Sequence, residues 1–93
     1  MYGRRLTIIK WLSLVVVLDT RSSWVYVGTL MGVDDENYVL ENADAFDVSE
    51  VTLTKQEYLM KIKKDGLIVN RRRIMIPKSI VTAATLLDDV VGN

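Results

Sequence analysis

Two runs of β-forming residues, held apart by four turn formers, constrain this chain more than any other feature in it. The first run is Trp24-Val25-Tyr26-Val27-Gly28-Thr29-Leu30-Met31, β-branched and aromatic with Gly28 as its breaker. The second is Tyr38-Val39-Leu40-Glu41-Asn42-Ala43. Between them stands Asp34-Asp35-Glu36-Asn37. Such residues make turns by bonding their own backbone. Strand, acidic turn, strand is therefore the expected form, and it is the strongest hairpin signal in the chain.

The flanking sequence extends this β pattern. Leu14-Val15-Val16-Val17-Leu18 is a continuous apolar run, predicting a strand buried on both faces. Asp19 to Ser23 reads as a polar loop. After Ala43 the strand is expected to continue through Asp44-Ala45-Phe46-Asp47-Val48, apolar alternating with acidic and so wet on one face. Residues 4–12 predict one short helix, with Leu6 and Ile9 inward and Arg4, Arg5 and Lys10 in water.

The pattern changes at Thr54. Thr54-Lys55-Gln56-Glu57 has the form of a capping box, in which Thr54 accepts the amide of Glu57 and Glu57 accepts that of Thr54. Tyr58, Leu59 and Ile62 share one helical face. Lys61, Lys63 and Lys64 sit toward the end where cations suit the macrodipole. Gly66 is placed to close the helix in a left-handed cap. From Leu67 the chain returns to β. Arg71, Arg72 and Arg73 cannot share one strand face, because neighbours alternate. Either the strand is exposed on both sides there, or Asn70 to Arg73 is a turn. Pro77-Lys78-Ser79 is a tight connection, and Ile80 to Leu87 is the last strand, with a tail at 88–93. The order predicts a single domain over 1–93, a small all-β barrel with helical additions.

Composition excludes several functions. There is no cysteine, so disulfides and thiolate chemistry are absent. There is no histidine, which removes the commonest acid–base catalyst and metal ligand. The remaining acids are scattered or in turns, and no Ser-Gly elbow is visible, so an enzyme is not expected, nor a cofactor. The 12 basic and 12 acidic residues cancel, so any nucleic-acid site must come from local clustering of positive charge. The apolar stretch after Arg4-Arg5 imitates a signal peptide, but Lys10 interrupts it and no small-x-small cleavage site follows. At roughly 13 residues it is too short for a membrane span, which needs ~20. The expectation is a soluble, cytoplasmic protein that does not engage a membrane.

Order and residues together resemble the Sm and Sm-like (LSm) family. The first family motif carries a G-x-L, then an acidic turn ending in asparagine, then an apolar strand. Here these are Gly28-Thr29-Leu30, Val33 to Asn37, and Tyr38 to Ala43, with a turn one residue shorter than usual. The second motif is degenerate: Ile74-Met75-Ile76-Pro77-Lys78-Ser79-Ile80-Val81 occupies its place, with Pro77-Lys78 standing for Arg-Gly. The resemblance implies a strongly bent, five-stranded barrel with an N-terminal helix (4–12). First-motif strands fall at 13–48, a helical insertion before the fourth strand at 49–66, and second-motif strands at 67–87. It also implies homo-oligomeric rings, commonly of six or seven, made by pairing the fourth strand of one copy with the fifth of the next. Apolar edges at Ile74 to Ile76 and Ile80 to Leu87 suit that closure, because a bare edge invites pairing.

In the family the acidic-turn loop and the Arg-Gly loop meet at a central pore and bind single-stranded, uridine-rich RNA. Carried over, Asn37 bonds a base edge, Asp34 braces the loop and Lys78 supplies positive charge. Glu36 holds the place of the usual stacking residue, and a carboxylate neither stacks nor welcomes phosphate. The alternative is therefore an Sm-fold assembly module that binds protein and no RNA, with Asn37 a turn residue only. Arg71, Arg72 and Arg73, with Lys61, Lys63 and Lys64, form either a phosphate-binding patch or a solvated hairpin paired with Glu50, Glu57 or Asp65. Three adjacent acids in one turn read as a solvated loop rather than a metal cage. Trp11, Trp24 and Tyr58 read as packing residues.

Overall fold

The acidic turn joins the two longest strands of a five-stranded antiparallel sheet. A computed structural model describes residues 8–92. The strands are β1 (Val15–Thr20), β2 (Trp24–Val33), β3 (Asn37–Asp47), β4 (Arg71–Pro77) and β5 (Val81–Leu86), with one α-helix, α1 (Lys55–Asp65). The sheet order is β4-β3-β2-β1-β5. Its two edges, β4 and β5, are nevertheless joined by the single 3-10 turn Lys78–Ile80. Four strand spacings of ~4.8 Å would separate the edges of a flat sheet by ~19 Å. Four residue steps of ~3.5 Å cover at most ~14 Å. The sheet must therefore curl, and one interior cluster draws on every strand: Val16 and Leu18, Leu30, Leu40 and Ala43, and Ile76, with Val81, Ala84 and Leu86 of β5 packed against them. The expected barrel is this curled sheet.

The curl is built from irregularities in the ladders. Val27 pairs with Asp44 and Thr29 with Glu41, so Gly28 alone faces both Asn42 and Ala43. That is a β-bulge, which bends the strand and sharpens its twist. Asn42 takes the left-handed conformation there, with φ 50°. A Cβ at position 28 would lie 2.7 Å from the Ala43 Cβ and 2.9 Å from its Cα, so only glycine fits. Met31 is a second extra residue, between Leu30–Leu40 and Gly32–Val39. Thr82 is a third, on β5.

α1 covers the outer face. Thr54 and Glu57 form the expected reciprocal capping box. Tyr58, Leu59 and Ile62 pack on Val17, Val25 and Val27. Tyr58 stacks on Phe46 with centroids 4.0 Å apart, and its hydroxyl donates to Asp44 Oδ2. Asp44 is consequently buried, correcting the wet face expected for this part of β3. Asn70 holds the same place from the other side. Its Nδ2 donates to Asp44 Oδ1 at 2.8 Å and its Oδ1 accepts the Ala45 amide at 2.9 Å.

Four further expectations are corrected. The N-terminal helix is a single 3-10 turn, Ile8–Trp11, and residues 4–7 lie outside the described residues. Trp11 packs on the interior cluster, and Ser13, with φ 72°, turns the chain into β1. Leu67 to Val69 is not strand, because pairing with β3 begins only at Arg71. Gly66 closes α1 with positive φ but extended ψ (95°, 162°), not in the left-handed helical region. Residues 88–92 are no free tail. Leu87–Asp89 is a 3-10 turn, Val90 is buried against α1, and Lys63 Nζ donates to the carbonyls of Asp88 and Val90.

Candidate functional site

The β2–β3 turn is shaped by one carboxylate. Asp34 Oδ1 accepts the amides of Glu36 at 2.8 Å and Asn37 at 2.7 Å. The Asp34 amide closes the turn by donating to the Asn37 carbonyl at 3.0 Å. These two amide donors, helped by the nearby Lys78 charge, hold the Asp34 carboxyl below the usual aspartate range. The acids are in solvent, while Asn37 is half-buried because it already belongs to the β3 ladder.

The β4–β5 turn is brought against this loop by pairing. Asn37 lies opposite Pro77, and the Lys78 amide donates to the Glu36 carbonyl at 2.8 Å. Pro77 is tolerated because β4 is an edge strand and Pro77 is its last residue. The Lys78 ammonium sits 5.5 Å from the centre of the Tyr38 ring, within cation–π range. Asp35, Glu36, Asn37, Pro77, Lys78 and Ser79 line one shallow cleft. Asp34, Asn37 and Lys78 thus share one end of the barrel. Arg21, which sequence reasoning passed over, reaches the same turn, its Nη2 donating to the Ser79 carbonyl at 2.9 Å. No local pattern announces Arg21, because residues 21 and 79 meet only when the sheet curls.

The three arginines lie elsewhere. They form the start of β4, all exposed, which decides for a strand open on both sides over a turn. Six strand steps at ~3.4 Å put Arg71 ~20 Å from Pro77. Arg73 donates through Nε, at 2.9 Å, and through Nη2 to Glu41 Oε2, so its partner is none of Glu50, Glu57 or Asp65. Arg71 Nη1 bonds the Asn70 carbonyl at 3.0 Å. Arg72 lines a shallow cleft with Glu41, Asn42 and Arg73. Lys63 Nζ is occupied by the carbonyls of Asp88 and Val90.

Among the described residues no cluster of three or more His, Cys, Asp or Glu side chains is arranged to hold a metal. No described helix is long and apolar enough to cross a membrane.

No protein-family model matches the sequence, and no curated protein matches it. Among solved structures, the chain is similar to an Sm protein of Pyrococcus abyssii determined in complex with a uridine heptamer. The TM-score is 0.59 at 21% identity, over 85% of this chain and 90% of the other. The fold is Sm-like. At that identity the likeness is one of backbone architecture.

Proposed function

We propose that this chain assembles into a homo-oligomeric Sm-like ring, of six or seven copies, that binds single-stranded, uridine-rich RNA and so serves RNA processing or regulation as a scaffold. One observation carries the reading: Glu36-to-Lys78 bonding and Asn37–Pro77 pairing gather two turns at one end of the barrel. The uridine heptamer bound by the structurally similar Sm protein supports the choice of ligand. Two unpaired edges at opposite ends of one sheet support closure, since β4 of one copy can pair with β5 of the next and leave no edge bare. In this reading Asn37 presents its amide to a base edge, Asp34 fixes the turn that aims it, and Lys78 meets phosphate or the base carbonyls. Arg71, Arg72 and Arg73 are the basic patch offered to backbone phosphates, with Arg73 paired to Glu41 in the unbound chain. The ring carries no catalytic step and works in the cytoplasm.

Glu36 favours a second reading. It is exposed beside Asn37, where a flat ring would add ~1–3 kcal/mol of stacking per base. An Sm-fold ring that binds protein and no RNA fits that charge. Fluorescence anisotropy with labelled oligouridine separates the two. Saturable binding at low salt, weakened for uridine over other bases by Asn37→Ala, is the expected result. Absence of saturable binding selects the protein-only module. Light scattering tests the ring: a monomer at micromolar concentration contradicts it.

A further inference from the structure

The wall where the start of β4 meets β3 gathers two arginines, and one of them is already paired within the protein. Arg72, Arg73 and Asn42 line one open cleft, and Glu41 lines it with them. Glu41 stands opposite Arg73 in the ladder, and its Oε2 takes both Nε and Nη2 of that guanidinium. Both N–H groups meet one carboxylate oxygen, charge-assisted bonds of the kind a guanidinium also makes to phosphate. Among the described residues this is the one ion pair. Its partners are not sealed away: the Arg73 side chain is 70% exposed and that of Glu41 29% exposed. An ion pair so open to water is weakly held and can exchange.

We infer that Glu41 is an internal competitor for the phosphodiester backbone of single-stranded RNA at this wall, keeping Arg73 out of the contact and leaving Arg72 as the available arginine. This rests on the reading that the chain binds RNA. It adds a restraint to that reading: the wall recognises backbone without base preference, and Glu41 sets how strongly. With Arg73 paired to Glu41 and Arg71 bonded to the Asn70 carbonyl, the wall offers Arg72 rather than three arginines. That leaves relatively more of the discrimination to Asn37 and Lys78 at the turns, because phosphate contacts position a strand while base contacts specify it.

Glu41→Gln tests this. The amide keeps the size of the side chain but releases Arg73. The fold should survive, since an exposed pair contributes little, and circular dichroism melting checks that. In anisotropy titrations with a labelled oligouridine and an oligoadenine, Glu41→Gln is expected to tighten binding of both, about fivefold at low salt, the worth of one net hydrogen bond. The slope of log affinity against log salt should steepen by about 0.7, one more phosphate on a single strand. Arg73→Gln alone should change little, and Glu41→Gln made in that background should give no gain. Glu50→Gln, which removes the same charge from a residue outside this cleft, should give well under twofold. A Glu41→Gln affinity and slope equal to wild type overturn the inference, as does an equal gain in the Arg73→Gln background. Wild-type binding that depends on Asn37 but ignores Glu41 overturns this inference alone. Failure of both wild type and Glu41→Gln to bind overturns the RNA reading with it. Binding by Glu41→Gln alone supports the competitor and removes the turns from the site.

Discussion

Replacing Gly28 by alanine puts the bulge to the test. The added methyl would meet the Ala43 Cβ at 2.7 Å, the Ala43 Cα at 2.9 Å and the Glu41 carbonyl oxygen at 3.2 Å. Two of those three atoms belong to the backbone of β3, so no side-chain rotation relieves the contact. The site is fully buried, with Ala43 at 0% exposure, so the methyl cannot swing into water. Overpacking of this kind costs ~1–3 kcal/mol, and backbone opposition places the change in the upper half, ~2–3 kcal/mol. In a domain of this size each kcal/mol moves the melting point by ~4–8 °C, so a fall of ~10–20 °C is expected. Gly32→Ala is the matched control, because its methyl would meet only Val39 side-chain atoms at 3.6 Å, an ordinary contact. Gly32→Ala should be neutral or stabilising by up to ~1 kcal/mol, through the unfolded chain. Adding Ala43→Gly to Gly28→Ala removes the 2.7 Å contact but keeps the 2.9 Å one, and should restore part of the loss. Thermal melts at one fixed protein concentration, with urea titrations for the m-value, measure all four. If Gly28→Ala melts within ~2 °C of wild type, close approach across the bulge is not what glycine is there for.

Three other outcomes follow from contacts described above. Tyr58→Phe keeps the stack on Phe46 but strips Asp44 Oδ2 of its donor, and should cost ~1–3 kcal/mol in urea unfolding. Thr54→Ala removes the helix cap and should cost ~1 kcal/mol, with a measurable loss of helical ellipticity. Asp34 and Asp47 both have carboxyls held below the ordinary value of 3.8, Asp34 by backbone amides and Asp47 chiefly by the Ser23 and Ser49 hydroxyls. A depressed folded pKa stabilises above the unfolded value and loses that contribution as pH falls through the folded one. Stability should therefore fall below about pH 4, and Asp34→Asn with Asp47→Asn should flatten that acid limb in melts taken from pH 2 to 6.

What the sequence revealed was local in origin. The hairpin, the capping box from Thr54 to Glu57 and the inward face of α1 each depend on residues a few positions apart, and each lies where pattern put it. Readings that failed depended on partners distant in sequence. Asp44 reads as wet because it alternates with apolar neighbours, yet Tyr58 of α1 and Asn70, just before β4, converge on it. Leu67 to Val69 had strand composition, but the ladder with β3 does not reach them, and Ile68 and Val69 stay exposed. The C-terminal residues read as a tail because no local pattern brings Lys63, 25 and 27 positions away, onto the Asp88 and Val90 carbonyls. The turn positions of Asp34, Asn37 and Lys78 are legible because turns announce themselves. That Arg73 answers to Glu41 is not, since it needs the register of β3 on β4.

The position of β1 has a consequence for how the chain is made. β1 is synthesised before the other four strands, yet it lies between β2 and β5, and β5 is the last of the five to emerge. Its register joins Val16 to Leu86 and Leu18 to Ala84. At ~5–20 residues per second, the ribosome needs several seconds to deliver β5 after β1 has left it. Throughout that interval β1 can pair on one side only, with the backbone of Val16, Val17 and Leu18 open on the other. A nascent chain in that state is a template for any extended segment nearby, including β5 of a neighbouring copy on the same message. Translation speed and the spacing of ribosomes thereby bear on whether each polypeptide closes upon itself or trades its final strand with another.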